Sequence, residues 1–189
     1  MGTWLQGHYR VRRRIPRRPA PSPRHRKLRR PFDVSGPEYV FDTKHDRYPL
    51  AVHVFLIQQG NVLLMRRAGS GYADGRLGLP AGHVDLGETP TASAVREIVE
   101  ELGITVDPDR LTPAGTMFRR SLEPRVDIFF TATDWTGTPQ IREPHKCTDL
   151  VWADPNDLPA DALDFIAQAW TDAQNGQILR EYGFTPVSR

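Results

Sequence analysis

Three glutamates, Glu97, Glu100 and Glu101, stand at i, i+3 and i+4 of a segment whose ends are both marked as those of a helix. Thr89 offers a capping hydroxyl, Pro90 suits the first helical position and Gly103 supplies the stop. At about 100° per residue, Ala92, Val95, Val99 and Leu102 fall in one apolar stripe, with the three glutamates on the opposite side. A helix of this kind lies against a core on one flank and holds crowded negative charge on the other. Like-charged pairs at this spacing weaken an isolated helix by roughly 0.2–0.5 kcal/mol each, so the arrangement calls for a neutralising cation. Taken alone, an acidic helix face is ordinarily just solvated; the surrounding pattern overrides that reading.

From Gly82 to Ile104 the chain fits Gly-x5-Glu-x7-Arg-Glu-U-x-Glu-Glu-x-Gly-U, with U an apolar residue. Every position is filled, by Gly82, Glu88, Arg96, Glu97, Ile98, Glu100, Glu101, Gly103 and Ile104. At average composition these matches would arise by chance in on the order of 10⁻⁷ of chains this long. The segment resembles the box of the Nudix hydrolase family, and the order of strands and helices around it is compatible from about Tyr48 to Ala173. The resemblance implies an α/β fold, an α/β/α sandwich around a mixed sheet, with the domain occupying residues 47–189. It implies a hydrolase that cleaves, with water as nucleophile, a phosphoanhydride bond of a nucleoside triphosphate or of another nucleoside-diphosphate-linked substrate such as a nucleotide sugar, dinucleoside polyphosphate or capped RNA; the alternative is a non-catalytic nucleotide-sensing module whose basic tail contacts nucleic acid. Mg²⁺ or Mn²⁺ would be held by Glu97, Glu100 and Glu101, assisted by the backbone carbonyl of Ala81. Arg96 would orient the carboxylates with Glu88 as its partner, Glu97 would orient or deprotonate the attacking water, and Gly82 and Gly103 would complete the box structurally. Many members carry Trp and Gly where this chain has Leu77 and Ala81, a departure that leaves every acidic ligand in place.

Elementary chemistry agrees with that implication. Hard carboxylate oxygens suit Mg²⁺ or Mn²⁺, and Mg²⁺ is typically held by a few carboxylates plus substrate phosphates. Phosphoryl transfer needs mainly positioning and charge stabilisation, so no Ser or Cys nucleophile is required and the single cysteine, Cys147, need not be catalytic.

Further candidates lie outside the box. The run Arg142-Glu143-Pro144-His145-Lys146-Cys147, followed by Trp152, resembles a Glu-Pro-x-Lys-Cys segment of MutT-like nucleoside triphosphate pyrophosphohydrolases. That likeness makes Glu143 an additional metal ligand or base, against the alternative of a solvent-exposed loop residue. Arg66 and Arg67 end a strand and are candidates to meet a substrate phosphate, against ordinary surface charge; Arg119 and Arg120 are similar but less well placed. His83 reads as a hydrogen-bonding neighbour of the ligands rather than a base. Tyr72, Phe118 and Trp152 are candidates to stack on a nucleobase, against simple packing.

Composition sets the outer limits. Of 189 residues, Met1–Pro31 carries eleven of the 25 basic side chains and none of the 23 acidic ones, so the remainder has nine more acidic than basic groups. An acidic body disfavours nucleic-acid binding except through the basic tail. Residues 1–46, rich in Arg and Pro, read as a disordered tail. A single cysteine suits a reducing compartment, no apolar run reaches the roughly 18–20 residues of a membrane span, and a secretory h-region is missing from this sequence; a cytoplasmic enzyme with no membrane partner is expected. The expected partner is a nucleotide substrate, with a homodimer left open. Apolar runs predict strands at 50–57 and 62–65 around a Gln59-Gly60-Asn61 turn, then at 115–118, 126–131 and 149–153, with a loop at 68–78. A last helix is predicted at about 160–173, with Leu163, Ile166, Ala167 and Trp170 on its packed face.

Overall fold

The computed structural model describes residues 48–121 and 124–184; the basic tail read at 1–46 lies outside them. Strand β1 (Leu50–Gln58) and β2 (Asn61–Arg67) form the expected hairpin. Its two turn residues, Gln59 and Gly60, have φ of 52° and 81°, the doubly positive geometry that matches the twist of paired strands. There follow β3 (Leu77–Gly78), β4 (Ala81–His83), helix α1 (Pro90–Leu102), β5 (Thr112–Arg119), β6 (Arg125–Ala132), β7 (Cys147–Ala153), α2 (Asp164–Gln174) and β8 (Leu179–Tyr182).

The strands make one mixed sheet in the order β3-β2-β1-β6-β5-β8, with β4 also on β1 and β7 also on β2. Pairing is parallel between β1 and β6 and between β5 and β8, and antiparallel elsewhere. One edge of β1 is shared by two partners. Residues Ala51 to His53 pair with β4, whereas Ile57 and Gln58 pair with β2, so the sheet forks along this edge.

The expected α/β/α layering follows from the alternation of side chains along the strands. Val52, Val54 and Leu56 of β1 join Leu63 and Met65 of β2 on the face covered by α1, with Ala94, Ile98 and Leu102. Phe55, Val62 and Leu64 point the other way and pack with Phe165, Ile166 and Ala169 of α2. Among the described residues no helix is long and apolar enough to cross a membrane.

Both ends of α1 are built as its sequence indicates. Thr89 Oγ1 accepts a hydrogen bond from the Ala92 N–H at 3.2 Å, and Gly103, with φ 69°, turns the chain while its N–H meets the Val99 carbonyl at 3.0 Å. The stripe of Ala92, Val95, Val99 and Leu102 is corrected in part: Leu102 is buried and Val95 packs partly buried against the core. Ala92 is exposed, Val99 is 43% exposed, and Ala94 and Ile98 take the core positions beside Leu102. The reason is phase: Ala94, Ile98 and Leu102 at i, i+4 and i+8 meet the sheet, and Glu97 and Glu101 are their immediate neighbours on the helix surface. The acidic flank therefore borders the packed face instead of opposing it.

Smaller corrections concern the second half. Helix α2 starts at Asp164 with Leu163 as its N-cap residue, and Phe165 and Ala169 replace the exposed Ala167 on its packed face. The 68–78 loop ends in β3, β4 follows at 81–83, and the edge strand β8 was not apparent from its sequence. Strand β8 shows no run of buried residues; Arg180 ties it to the buried Asp172 of α2 by a two-point ion pair.

Asp127 on β6 is fully buried between His53 and Arg119. Burial alone would raise its carboxyl, but His53 and Arg119 together hold it at about 2, below its ordinary 3.8. A depressed carboxyl stabilises the fold above its ordinary pKa, and that contribution is lost as pH falls through about 2. Urea unfolding should therefore show stability dropping between about pH 4 and pH 2. Asp127→Asn should cost about 3–5 kcal/mol at pH 7, because a buried guanidinium loses its counter-charge, and should flatten the acid dependence. Ile98→Ala should cost about 2–5 kcal/mol and Val99→Ala no more than about 0.5 kcal/mol. The reverse ranking would restore the stripe expected from sequence.

Candidate active site

The fork in the sheet, closed by α1 and the start of α2, frames a cleft of ≈ 570 Å³. Glu97 and Glu101 of α1 line it, with Ala81, Gly82 and His83 of β4 alongside. Its other walls include Arg67, Tyr72, Arg125 and Lys146.

Arg96 organises the acidic side. Its Nε and Nη2 donate to the two oxygens of Glu88 at 2.9 and 3.0 Å, a two-pronged pair. Nη1 donates to Glu97 Oε1 at 2.7 Å and to Glu100 Oε2 at 3.1 Å, and Nη2 also reaches the His83 carbonyl at 3.1 Å. One guanidinium thus joins α1 to β4 and to the loop that carries Glu88. Glu88 in turn accepts from the Asp85 N–H at 3.1 Å, and Arg96 holds its carboxyl down at about 2.

Glu97 crosses directly over Gly82. A Cβ at position 82 would lie 1.8 Å from Glu97 Oε1 and 1.9 Å from its Cδ, so only glycine leaves the carboxylate where Arg96 holds it. Burial raises the Glu97 carboxyl above its ordinary value despite that arginine. Glu101 is pushed up to about 8, first by burial and then by the charges of Glu97 and Glu143, against a hydrogen bond from the Ala81 N–H at 3.0 Å. These are hard oxygen donors with too little positive charge around them, the electrostatic environment that a divalent cation reverses. Among the described residues no three His, Cys, Asp or Glu side chains converge as a ready-made metal cage. The donors instead form an open half-site, which fits an ion that takes its remaining ligands from water and substrate phosphate.

The other candidates divide. Glu100 sits outside the lining, its side chain 52% exposed, against Arg96. Glu143 holds Lys146 at 2.8 Å, and it is Lys146 that lines the cleft. Arg67 reaches the cleft, with Nε on the Tyr72 carbonyl at 3.0 Å. Arg66 does not line it and is bonded to Asp161 at 2.6 Å and to the Gly75 carbonyl at 2.7 Å. Gly103 lies at the far end of α1, against the Arg142 side chain. Of the three aromatic candidates only Tyr72 lines the cleft; Phe118 packs on Tyr48 and Phe184, and Trp152 stacks on Trp135. Cys147 is buried, which raises its thiol and leaves it a poor nucleophile. His53, Asp127 and Arg119, which the sequence reading passed over or set aside as surface charge, form a buried ion-paired row, and His53 and Arg119 line the cleft.

Comparison with known proteins follows the same outline. A family model described as NUDIX domain matches residues 47–174. The chain is 27% identical over 113 residues to the 8-oxo-dGTP diphosphatase of Escherichia coli (strain K12), covering 58% of this chain and 86% of that protein. It is 28% identical over 123 residues to a MutT-like protein of Streptomyces ambofaciens, covering 65% of this chain and 74% of the relative. Among solved structures, the MutT NUDIX hydrolase from Burkholderia pseudomallei superposes with a TM-score of 0.62 at 27% identity, covering 67% of this chain and 98% of that one. With the family model spanning more than half its length and Gly82, Glu97 and Glu101 of the box lining one cleft, the chain belongs to the Nudix hydrolase family and is a pyrophosphohydrolase.

Proposed function

We propose that this enzyme hydrolyses a nucleoside triphosphate, unmodified or damaged, to the monophosphate and pyrophosphate, with Mg²⁺ or Mn²⁺ as cofactor. The observation that carries the reading is the inward turn of Glu97 and Glu101, which puts two carboxylates in a cleft that also holds Arg67, Arg125 and Lys146. The sequence likeness to the 8-oxo-dGTP diphosphatase of Escherichia coli supports a triphosphate over the other substrates of the family. Glu97, Glu100 and Glu101, with the Ala81 carbonyl and with Glu143 nearby, would hold the ion. When bound, the ion supplies neutralisation of the phosphate oxygens and acidification of water.

The protein's own groups divide the remaining work. Arg96 is a positioning residue: it fixes Glu97 and Glu100 relative to β4. Glu97 Oε1 accepts from Arg96 Nη1, and its other oxygen accepts the proton of the attacking water. Water adds to phosphorus, the bridging P–O bond breaks between the α- and β-phosphates, and pyrophosphate leaves. Arg67, Arg125 and Lys146 bind phosphate oxygens through charge-assisted hydrogen bonds.

Turnover of a panel of triphosphates, including 8-oxo-dGTP, nucleoside-diphosphate sugars, dinucleoside polyphosphates and capped RNA, is expected to yield pyrophosphate from at least one triphosphate and to stop on chelation. Pyrophosphate from none of them would overturn the substrate assignment. Glu97→Gln, Glu100→Gln and Glu101→Gln should each lower kcat/KM at least about 100-fold, since even the outer partners of metal ligands reach 10–100-fold, without lowering the unfolding midpoint. Wild-type turnover by any one of them removes that residue from the ligand set. Gly82→Ala should give a folded protein with a similar loss, because the new methyl displaces Glu97; full activity in that variant would mean that Glu97 works from another position.

A further inference from the structure

The floor of the cleft carries a second built group that hydrolysis does not use. Strands β1, β6 and β5 lie side by side and bring His53, Asp127 and Arg119 into one row, with 7%, 0% and 4% exposure. Asp127 uses both oxygens within it: Oδ2 accepts from Arg119 Nε at 2.6 Å and Oδ1 lies 3.2 Å from His53 Nε2. The Arg119 guanidinium lies over the Phe165 ring, 4.1 Å from its centroid, and donates through Nη1 to the Tyr72 hydroxyl at 3.3 Å. Its Nη2 amino group is bonded to none of the described residues. Arg119, His53, Tyr72 and Phe165 all line the cleft. Folding alone gives no reason for the row, because a buried ion pair is commonly no more stabilising than apolar residues of the same volume.

We propose that this end of the cleft is a nucleobase subsite and that Arg119 is its specificity residue, reading two adjacent hydrogen-bond acceptors on a purine of the guanine type. The proposal rests on the nucleotide reading above. Asp127 neutralises Arg119, which leaves no surplus charge for a phosphate but keeps directional N–H donors on a plane fixed by Phe165. A planar fork of donors pairs with O6 and N7 of guanine or hypoxanthine, whereas adenine places a donor at N6 and 8-oxoguanine one at N7, so the unmodified base is the one read. That edge is the one remote from the sugar, so a base inserted toward the floor presents it first; the O2 and N3 pair of cytosine lies beside the glycosidic bond. The sheet also supplies the length. From β4, beside the glutamates, to β5 is three strand steps, about 14 Å at 4.7–4.9 Å each, which leaves the sugar and phosphates between the two ends. Asp127 and His53 act as positioning residues that hold the guanidinium in its plane.

Calorimetric titration of the full chain with nucleoside monophosphates tests this without turnover. GMP and IMP should bind at least about ten-fold more tightly than AMP and CMP, the discrimination expected of a bidentate arginine. Replacing N7 by CH, in 7-deazaguanosine monophosphate, should remove most of that advantage with the protein unaltered. Arg119→Lys keeps the charge beside Asp127 and loses the planar fork, so it should bring GMP and AMP to similar affinity; should it fail to fold, the 7-deaza comparison decides. Equal affinity for all the monophosphates, no measurable affinity for any, or a guanine preference untouched by 7-deaza substitution overturns the proposal. A guanine preference without pyrophosphate release from any triphosphate would remove the reaction and leave the subsite standing.

Discussion

The site depends on two carboxylates being held where a folding chain would not otherwise leave them. Glu97 and Glu101 sit on the same surface of α1 as Ile98, facing the sheet, and burial works against their ionisation. What holds Glu97 is mainly Arg96, which grips it while pinned to Glu88 and to the His83 carbonyl. Glu101 is met by the Ala81 N–H from β4. The helix is therefore docked to β4 by polar groups along one side and to β1 and β2 by Ala94, Ile98 and Leu102 along the other. Folding and the acidic half-site share a single set of contacts.

Much of this could be read in the residues, and the failures have identifiable causes. The ends of α1 and the β1–β2 hairpin were legible because Thr89, Pro90, Gly103 and Gln59-Gly60 act locally, through caps and turn dihedrals. The phase of α1 was misread because Ala92 and Val99 are as apolar in sequence as Ala94 and Ile98. A sheet approaching from the Ile98 side decides between them, and that is tertiary information. The row of His53, Asp127 and Arg119 escaped for a related reason. Arg119 was weighed as surface charge and the other two were not singled out, yet His53 falls between Ala51 and Phe55 on the inward-facing alternate positions of β1, and Asp127 stands two residues before the buried Phe129. Polar residues in phase with a buried strand face, on strands that pair, were the available signal. The pairing of β1 with β6 rather than with a neighbour in sequence concealed it.

Arg66 and Arg67 show the limit of reading adjacent residues together. Side chains alternate along a strand, and the pair divides accordingly: Arg67 enters the cleft and Arg66 is spent on Asp161 near the start of α2. A shared residue type said nothing about a shared task.

The fork in β1 has a consequence for how such an enzyme diversifies. Val54, between the two pairings, gives its N–H to the Pro80 carbonyl, so β4 and the hairpin meet β1 through separate contacts. The acidic helix is fastened to the β4 side, while the ion-paired row rises from β1, β6 and β5. On the proposed reading of the row, substitution at Arg119 would alter which molecules are admitted while the attachments of the acidic helix stay as they are.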